Sequence, residues 1–404
     1  MLFKSQIRKI TKSYYFNRAL LIGLSDSIVK GGIFILNLLL AKLLISDEYG
    51  LYSLYFATIN LISILYTFGI SNYLSKKISI INDNHKYYFI NSISIFLFVS
   101  IIISSIFLVI FKNSSYINYF TIFGGLTWAF IQIQKSYLQA RNHIKFFFIY
   151  DFFKIILPCT IILYLLYSKH IITLTNVTSA FTLSFIIFFI IIVSKISKNY
   201  KLINKDTAIQ IFKSSIPLMP YMALMWVINV SDRYVIEILT DLTSVGVYSL
   251  IYSLASIYAL GTGFINAIYI NKMFRDLSAS KKIFRKYFIS LTAIYLCIGV
   301  LSTIISLTLN SWLEYNVSID ILIIILVGFF FNALHTIVGN YIFFLNKIKF
   351  LVTSSLIGAM LNITLNFILI PIMGLHGAAY GTLIAYLSMF LYSLFKIKKY
   401  NEPI

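Results

Sequence analysis

The feature that most limits what this chain can become is a succession of apolar runs, each long enough to cross a lipid bilayer. About 20 consecutive apolar residues span the hydrocarbon core as a helix. Runs of that length fall near 19–45, 49–73, 87–111, 116–138, 146–167 and 171–194. A second set falls near 212–240, 243–271, 283–309, 319–345, 350–373 and 376–396. Inside hydrocarbon, every backbone N–H and C=O must find its partner within the segment, so runs of this kind form helices. A mean hydropathy of +0.88 with 11% charged residues excludes a soluble globular domain. The expected class is all-α, a polytopic inner-membrane protein of about twelve transmembrane helices.

The net charge of +20 would suit nucleic acid if it were gathered into one patch. It is instead sorted by position. With the amino terminus placed in the cytoplasm, the basic residues cluster in alternate segments at 4–18, 76–86, 135–145, 195–213, 272–286, 347–349 and 396–399. Of the 33 Lys and Arg, only Lys30, Lys42, Lys112, Lys154, Lys169 and Arg233 lie elsewhere. This is the positive-inside pattern, and it puts both termini in the cytoplasm. It also supports the span count, because one missed helix would invert every later segment. The charge therefore reports topology and gives no support for a nucleic-acid partner. In residues 1–18, Leu2, Phe3, Ile7 and Ile10 alternate with Lys4, Arg8, Lys9 and Lys12, as in an amphipathic segment lying on a membrane surface or a frayed basic terminus.

The second set of runs repeats the first. Gly50-Leu51-Tyr52-Ser53-Leu54 reappears as Gly246-Val247-Tyr248-Ser249-Leu250, an offset of 196 residues. Tyr137, Asn142, Ile144, Lys145 and Phe146 reappear as Tyr341, Asn346, Ile348, Lys349 and Phe350. Six spans per half is an even number, so the halves share orientation and are related by an axis along the membrane normal. The expected organisation is a basic amino-terminal segment 1–18, an N-lobe 19–194, a cytoplasmic linker 195–212, a C-lobe 213–396 and a tail 397–404.

Nothing in the chain reads as a catalytic constellation, a phosphate loop or an ATPase, and no cofactor is implied. Cys159 and Cys297 both fall inside apolar runs, and among the histidines only His335 does so, as a core residue would. Charges inside spans are expensive and so mark polar surroundings. On the first span, Asp26, Lys30, Asn37 and Ala41 recur at helical spacing and form one face. On the seventh, Trp226, Asn229, Arg233 and Glu237 do the same, with Asp232 beside them. The repeat offset aligns Asn37 with Arg233. A purely structural account also exists: Asp26 with Lys30, Arg233 with Glu237 and Asp151 with Lys154 as ion pairs, and Lys42 reaching the interface. Pro217 and Pro220 either hinge the seventh span or merely kink it.

Three stretches resemble the polysaccharide-transporter branch, including O-antigen flippases, of the multidrug/oligosaccharidyl-lipid/polysaccharide exporter superfamily. They are LLLAKLLISDEYGLYSLYFATINLI (38–62), SIPLMPYMALMWVINVSDRYVIEILTDLTSVGVYSLIYSLASI (215–257) and LNITLNFILIPIMGLHGAAYGTLIAYLSMFLYSL (361–394). The resemblance implies a MATE-like architecture, two six-helix lobes around a central cavity. It implies a flippase that carries an undecaprenyl-diphosphate-linked oligosaccharide from the cytoplasmic to the periplasmic leaflet. Such a cargo needs cations for its diphosphate, and Lys30, Lys154 and Arg233 are the candidates, with Asn37, Asn229 and Trp226 lining the path. Asp26, Asp232 and Glu237 are the candidate coupling acids for H+ or Na+. Membrane lipids and the polymerase of the same pathway are the expected partners. Two alternatives stay open, a cation-coupled multidrug antiporter of the same superfamily and a non-transporting polytopic protein such as a polysaccharide polymerase. Against the polymerase stands the shortness of the outward loops, the longest lying near 309–319.

Overall fold

The structure, a computed structural model, describes residues 28–80, 85–110, 116–141, 156–165, 167–168, 173–196, 205–216, 219–313 and 317–399. Every regular element among them is a helix. In chain order these are α1 (28–43), α2 (Ser46–Thr67), α3 (Ile70–Ile80), α4 (His85–Ile110), α5 (Tyr116–Ala140), α6 (Ile156–Leu165) and α7 (Leu174–Ile196). There follow α8 (Lys205–Ser215), α9 (Met219–Leu239), α10 (Leu242–Ala279), α11 (Ile283–Leu313), α12 (Ile319–Phe344), α13 (Ile348–Met373) and α14 (Leu375–Lys399). Each of the twelve apolar runs contains helix. Among the described residues seven helices, α2, α4 and α10 to α14, are long and apolar enough to cross a membrane by length and composition. The pair α8–α9, bent by 40°, would make an eighth. The chain is a multi-pass membrane protein with an all-α fold. The amphipathic segment 1–18 lies outside the described residues.

Two spans differ from a simple reading of their apolar runs. The run 49–73 is two helices. Phe68 (φ 47°) and Gly69 (φ 76°) both take left-handed backbone after Thr67, and the Phe68 N–H closes α2 on the Ile64 carbonyl at 3.1 Å. A Cβ on Gly69 would stand 2.5 Å from the Ser215 carbonyl oxygen at the end of α8, so only glycine fits there. The Phe68 ring meets Phe212 edge-on at 5.8 Å. In the run 212–240, Pro220 is the second residue of α9, where a missing N–H leaves no helical bond unmade. Pro217 lies outside the described residues.

The sequence repeat has a counterpart in three dimensions. Helices α2 and α10 each begin four residues before the repeated glycine, at Ser46 and Leu242. Tyr52 and Tyr248 are both buried. The Tyr137 ring on α5 stacks on Phe89 of α4 at 4.0 Å, and the Tyr341 ring on α12 stacks on Phe284 of α11 at 4.1 Å.

By compactness the chain divides into two units, Leu43–Tyr234 and the residues before and after it, with the boundaries inside α1 and α9. In the Leu43–Tyr234 unit, α2 packs against α5 and α7. The Tyr55 hydroxyl bonds Thr182 at 2.8 Å and the Tyr66 hydroxyl bonds Ser104 at 2.8 Å, so these two buried tyrosines keep their polar ends satisfied. Gly124 and Gly125 of α5 lie against the side-chain ends of Ile59 and Ile62. In the other unit, α14 packs against α12 and α13. There Gly377 and Gly381, one turn apart, bring α14 so close to α13 that a Cβ would enter the Leu369 backbone and the Asn366 side chain. This is the small-residue approach typical of membrane helices. Gly374 (φ 58°) ends α13, its N–H bonded to the Ile370 carbonyl at 2.8 Å.

Candidate functional site

Helix α9 carries most of the described candidate residues, and its seating follows from its aromatic side chains. The Trp226 indole N–H donates to the Ala57 carbonyl of α2 at 3.0 Å. The Tyr234 hydroxyl lies 2.7 Å from Thr58 Oγ1, and the two α9 rings sit 5.8 Å apart. These contacts fix the rotation of α9 against α2 within one unit. Trp226, Asn229 and Arg233, spaced to share a face, are each half-buried. Asp232 is fully buried, and one of its oxygens accepts the Arg233 backbone N–H at 2.9 Å. Glu237, one turn on, is exposed. Asn229 turns its amide to the Met225 carbonyl at 2.6 Å, one turn back along its own helix. The segment thus places an arginine next in sequence to a buried carboxylate within an apolar helix, a costly arrangement that marks polar surroundings.

Lys30 and Asn37 lie on α1 in the other unit, Lys30 exposed and Asn37 half-buried. Lys154, Asp26 and Pro217 lie outside the described residues, as does Asp151.

A second set of polar groups joins α10 and α12. Thr262 and Asn266 of α10, with Asn332 and Thr336 of α12, line a cavity of about 140 Å³ that Tyr295 also borders. The Asn340 amide donates to Asn266 Oδ1 at 2.7 Å. The signal was present in the spacing, since Thr262 and Asn266, and Asn332, Thr336 and Asn340, recur one turn apart in apolar runs. His335 is buried on α12, and its Nε2 lies 3.2 Å from the Ser354 hydroxyl of α13.

The fold itself is that of transporters of the MOP superfamily. It aligns with a lipid II flippase, MurJ in an inward closed conformation, at a TM-score of 0.71 and 18% identity, over 93% of this chain and 87% of that one. An inward-facing MATE-family multidrug resistance transporter of the MOP superfamily aligns at 0.69 and 11% identity, over 93% and 99%. The MATE multidrug transporter DinF-BH aligns at 0.69 and 14% identity, over 96% of each chain. Curated proteins give no match. Residues 17–270 match the family described as polysaccharide biosynthesis protein, and the chain belongs to that family.

Proposed function

We propose that this protein is a flippase of the bacterial inner membrane that moves undecaprenyl-diphosphate-linked O-antigen, or similar surface-polysaccharide, repeat units from the cytoplasmic to the periplasmic leaflet by alternating access. The observation that carries this reading is membership of a polysaccharide biosynthesis family in a chain whose fold is shared with a lipid II flippase. Both termini lie in the cytoplasm, and 19–194 and 213–396 act as the two moving lobes, joined by the linker 195–212. Arg233 is the principal cation for the diphosphate, because a planar guanidinium can hold two phosphate oxygens at once. Asn229 and Trp226 line the path beside it. The Trp226 N–H is already given to Ala57, so its ring face is what remains for the cargo. Lys30, Lys154 and Asn37 are further binding residues, and Asp26, Asp232 and Glu237 are the acids that a coupling H+ or Na+ would use.

The test is transport of radiolabelled lipid-linked oligosaccharide into inverted membrane vesicles. Arg233→Gln should abolish uptake while protein abundance stays near normal, and Arg233→Lys should retain part of it. If Arg233 serves only the fold, Arg233→Gln with Glu237→Gln would recover both abundance and transport, which would remove Arg233 from the binding role. The MATE likeness supports one competing outcome: uptake of a cationic dye, with no movement of the lipid-linked sugar, would identify a multidrug antiporter instead.

A further inference from the structure

The turn joining α10 to α11 carries Lys281 and Lys282, and the helix ends on either side of it carry Lys272, Arg275, Arg285 and Lys286. Positive-inside bias accounts for the sign of this cluster but not for its shape. Between the end of α10 and the start of α11 lies a cavity of about 360 Å³, within the range of small-ligand sites. Tyr269, Lys272, Asp276, Lys286 and Tyr287 line it, together with apolar residues that include Ile294. Lys272 and Lys286 are exposed, and neither pairs with an acid among the described residues. The acid in the lining, Asp276, is engaged, since the Tyr287 hydroxyl donates to its Oδ2 at 2.6 Å.

The position of the cavity along the helices narrows its ligand. The apolar span of α10 ends at Ile270 and that of α11 begins at Ile283, so the lysines stand where both helices leave the hydrocarbon. Lipid phosphates occupy that level. Tyrosines are favoured there, and basic pockets between membrane helices suit anionic headgroups. Ile289 and Leu296, beside Lys286 by helical spacing, are exposed by 58% and 54% and continue the site into the apolar zone.

We propose that this cavity holds the phosphate of an anionic membrane lipid, with the phosphodiester on Lys272 and Lys286 and an acyl chain along α11 at Ile289 and Leu296. The site needs no assumption about the transported cargo, and its failure would leave the flippase reading intact. The measurement is native mass spectrometry of the purified full-length chain titrated with phosphatidylglycerol. Phosphatidylcholine of the same acyl chains and inorganic phosphate serve as separate arms. One phosphatidylglycerol should bind with an affinity that Lys272→Gln with Lys286→Gln lowers about tenfold or more. Lys282→Gln with Arg285→Gln, equal in charge but outside the cavity, should leave it unchanged. If the double variant loses its monodisperse elution, Lys272→Gln alone should show a smaller loss of the same sign. Equal retention of phosphatidylcholine, or equal loss in the two double variants, would overturn the site. Displacement of the lipid by millimolar inorganic phosphate would assign the cavity to a soluble phosphate and overturn the lipid.

Discussion

Helices α2 and α10 begin at the same point of the sequence repeat and end very differently. At the offset of 196 residues, Phe68 and Gly69 align with Phe264 and Ile265. In the first half the chain turns left-handed there and restarts as α3, whereas in the second half α10 runs on unbroken to Ala279. Glycine content does not explain this, because α10 carries Gly261 and Gly263 just before the aligned position and stays helical through both. Gly263 has open space around it, while Gly69 sits against the Ser215 backbone. Left-handed backbone at a phenylalanine costs about 1–2 kcal/mol. It is held at Phe68 by the ring contact with Phe212 and by the approach of α8. Glycine permits a break, and a packed neighbour makes it happen.

The largest effect should come from Gly69→Ala. The new Cβ would meet a backbone carbonyl that cannot rotate away, at a φ that alanine already resists. Membrane abundance should fall severely, and the thermal midpoint of the residual protein should drop by several degrees; wild-type values for both would show that α8 does not fix the break. A middle-sized effect is expected for Ile265→Gly, at about 1 kcal/mol from lost helix propensity. Hydrogen exchange should still find α10 protected on both sides of the substitution. Loss of protection there would mean that glycine alone suffices. The smallest effect concerns the helix starts. Asp241 caps α10 by accepting the Ser244 N–H at 2.7 Å, whereas the aligned Ile45 of α2 has extended backbone and no side-chain cap. Asp241→Ala should cost about 0.5 kcal/mol, the low end for an exposed cap, and Ile45→Ser, three residues before Glu48, should gain somewhat less. The backbone N–H of Ser244 and its hydroxyl hold the Asp241 carboxyl below the usual aspartate value. A depressed folded value means the contribution is present above the unfolded pKa of about 4 and is lost as pH falls through the folded one. Melting curves between neutral and acid pH should therefore converge for wild type and Asp241→Ala at the acid end.

The spans were legible because hydrocarbon leaves the backbone no choice but a helix, and length alone finds such runs. The break at Phe68–Gly69 was not legible, since two residues inside a uniform apolar run carry no signal without α8 beside them. The extra length of α10 escaped for the opposite reason. Lys272 and Arg275 end the apolar run but are good helix formers, so the helix outlasts the membrane segment. At the candidate site, spacing located the α9 face but could not say what each polar atom does. The Trp226 N–H and the Asn229 amide both turn to backbone carbonyls, and only the folded contacts decide that. The bond between Asn266 and Asn340 was not legible, because it joins two helices far apart in sequence and neither amide carries a charge that would mark its surroundings.

The glycines of α13 and α14 bear on the order in which the protein assembles. Gly374 alone joins the two helices, so closing them on each other costs almost no chain entropy. With Gly377 and Gly381 already shaped to receive α13, the hairpin can form as soon as both helices have entered the bilayer. The α2–α5 contact must wait for α3 and α4 to be threaded and placed between them in sequence. Synthesis should therefore deliver a finished C-terminal hairpin early in its own lifetime and a late-closing N-terminal core. Damage at Gly377 would then surface soon after the last helices enter the bilayer, and damage at Gly124 only when separated helices must come together.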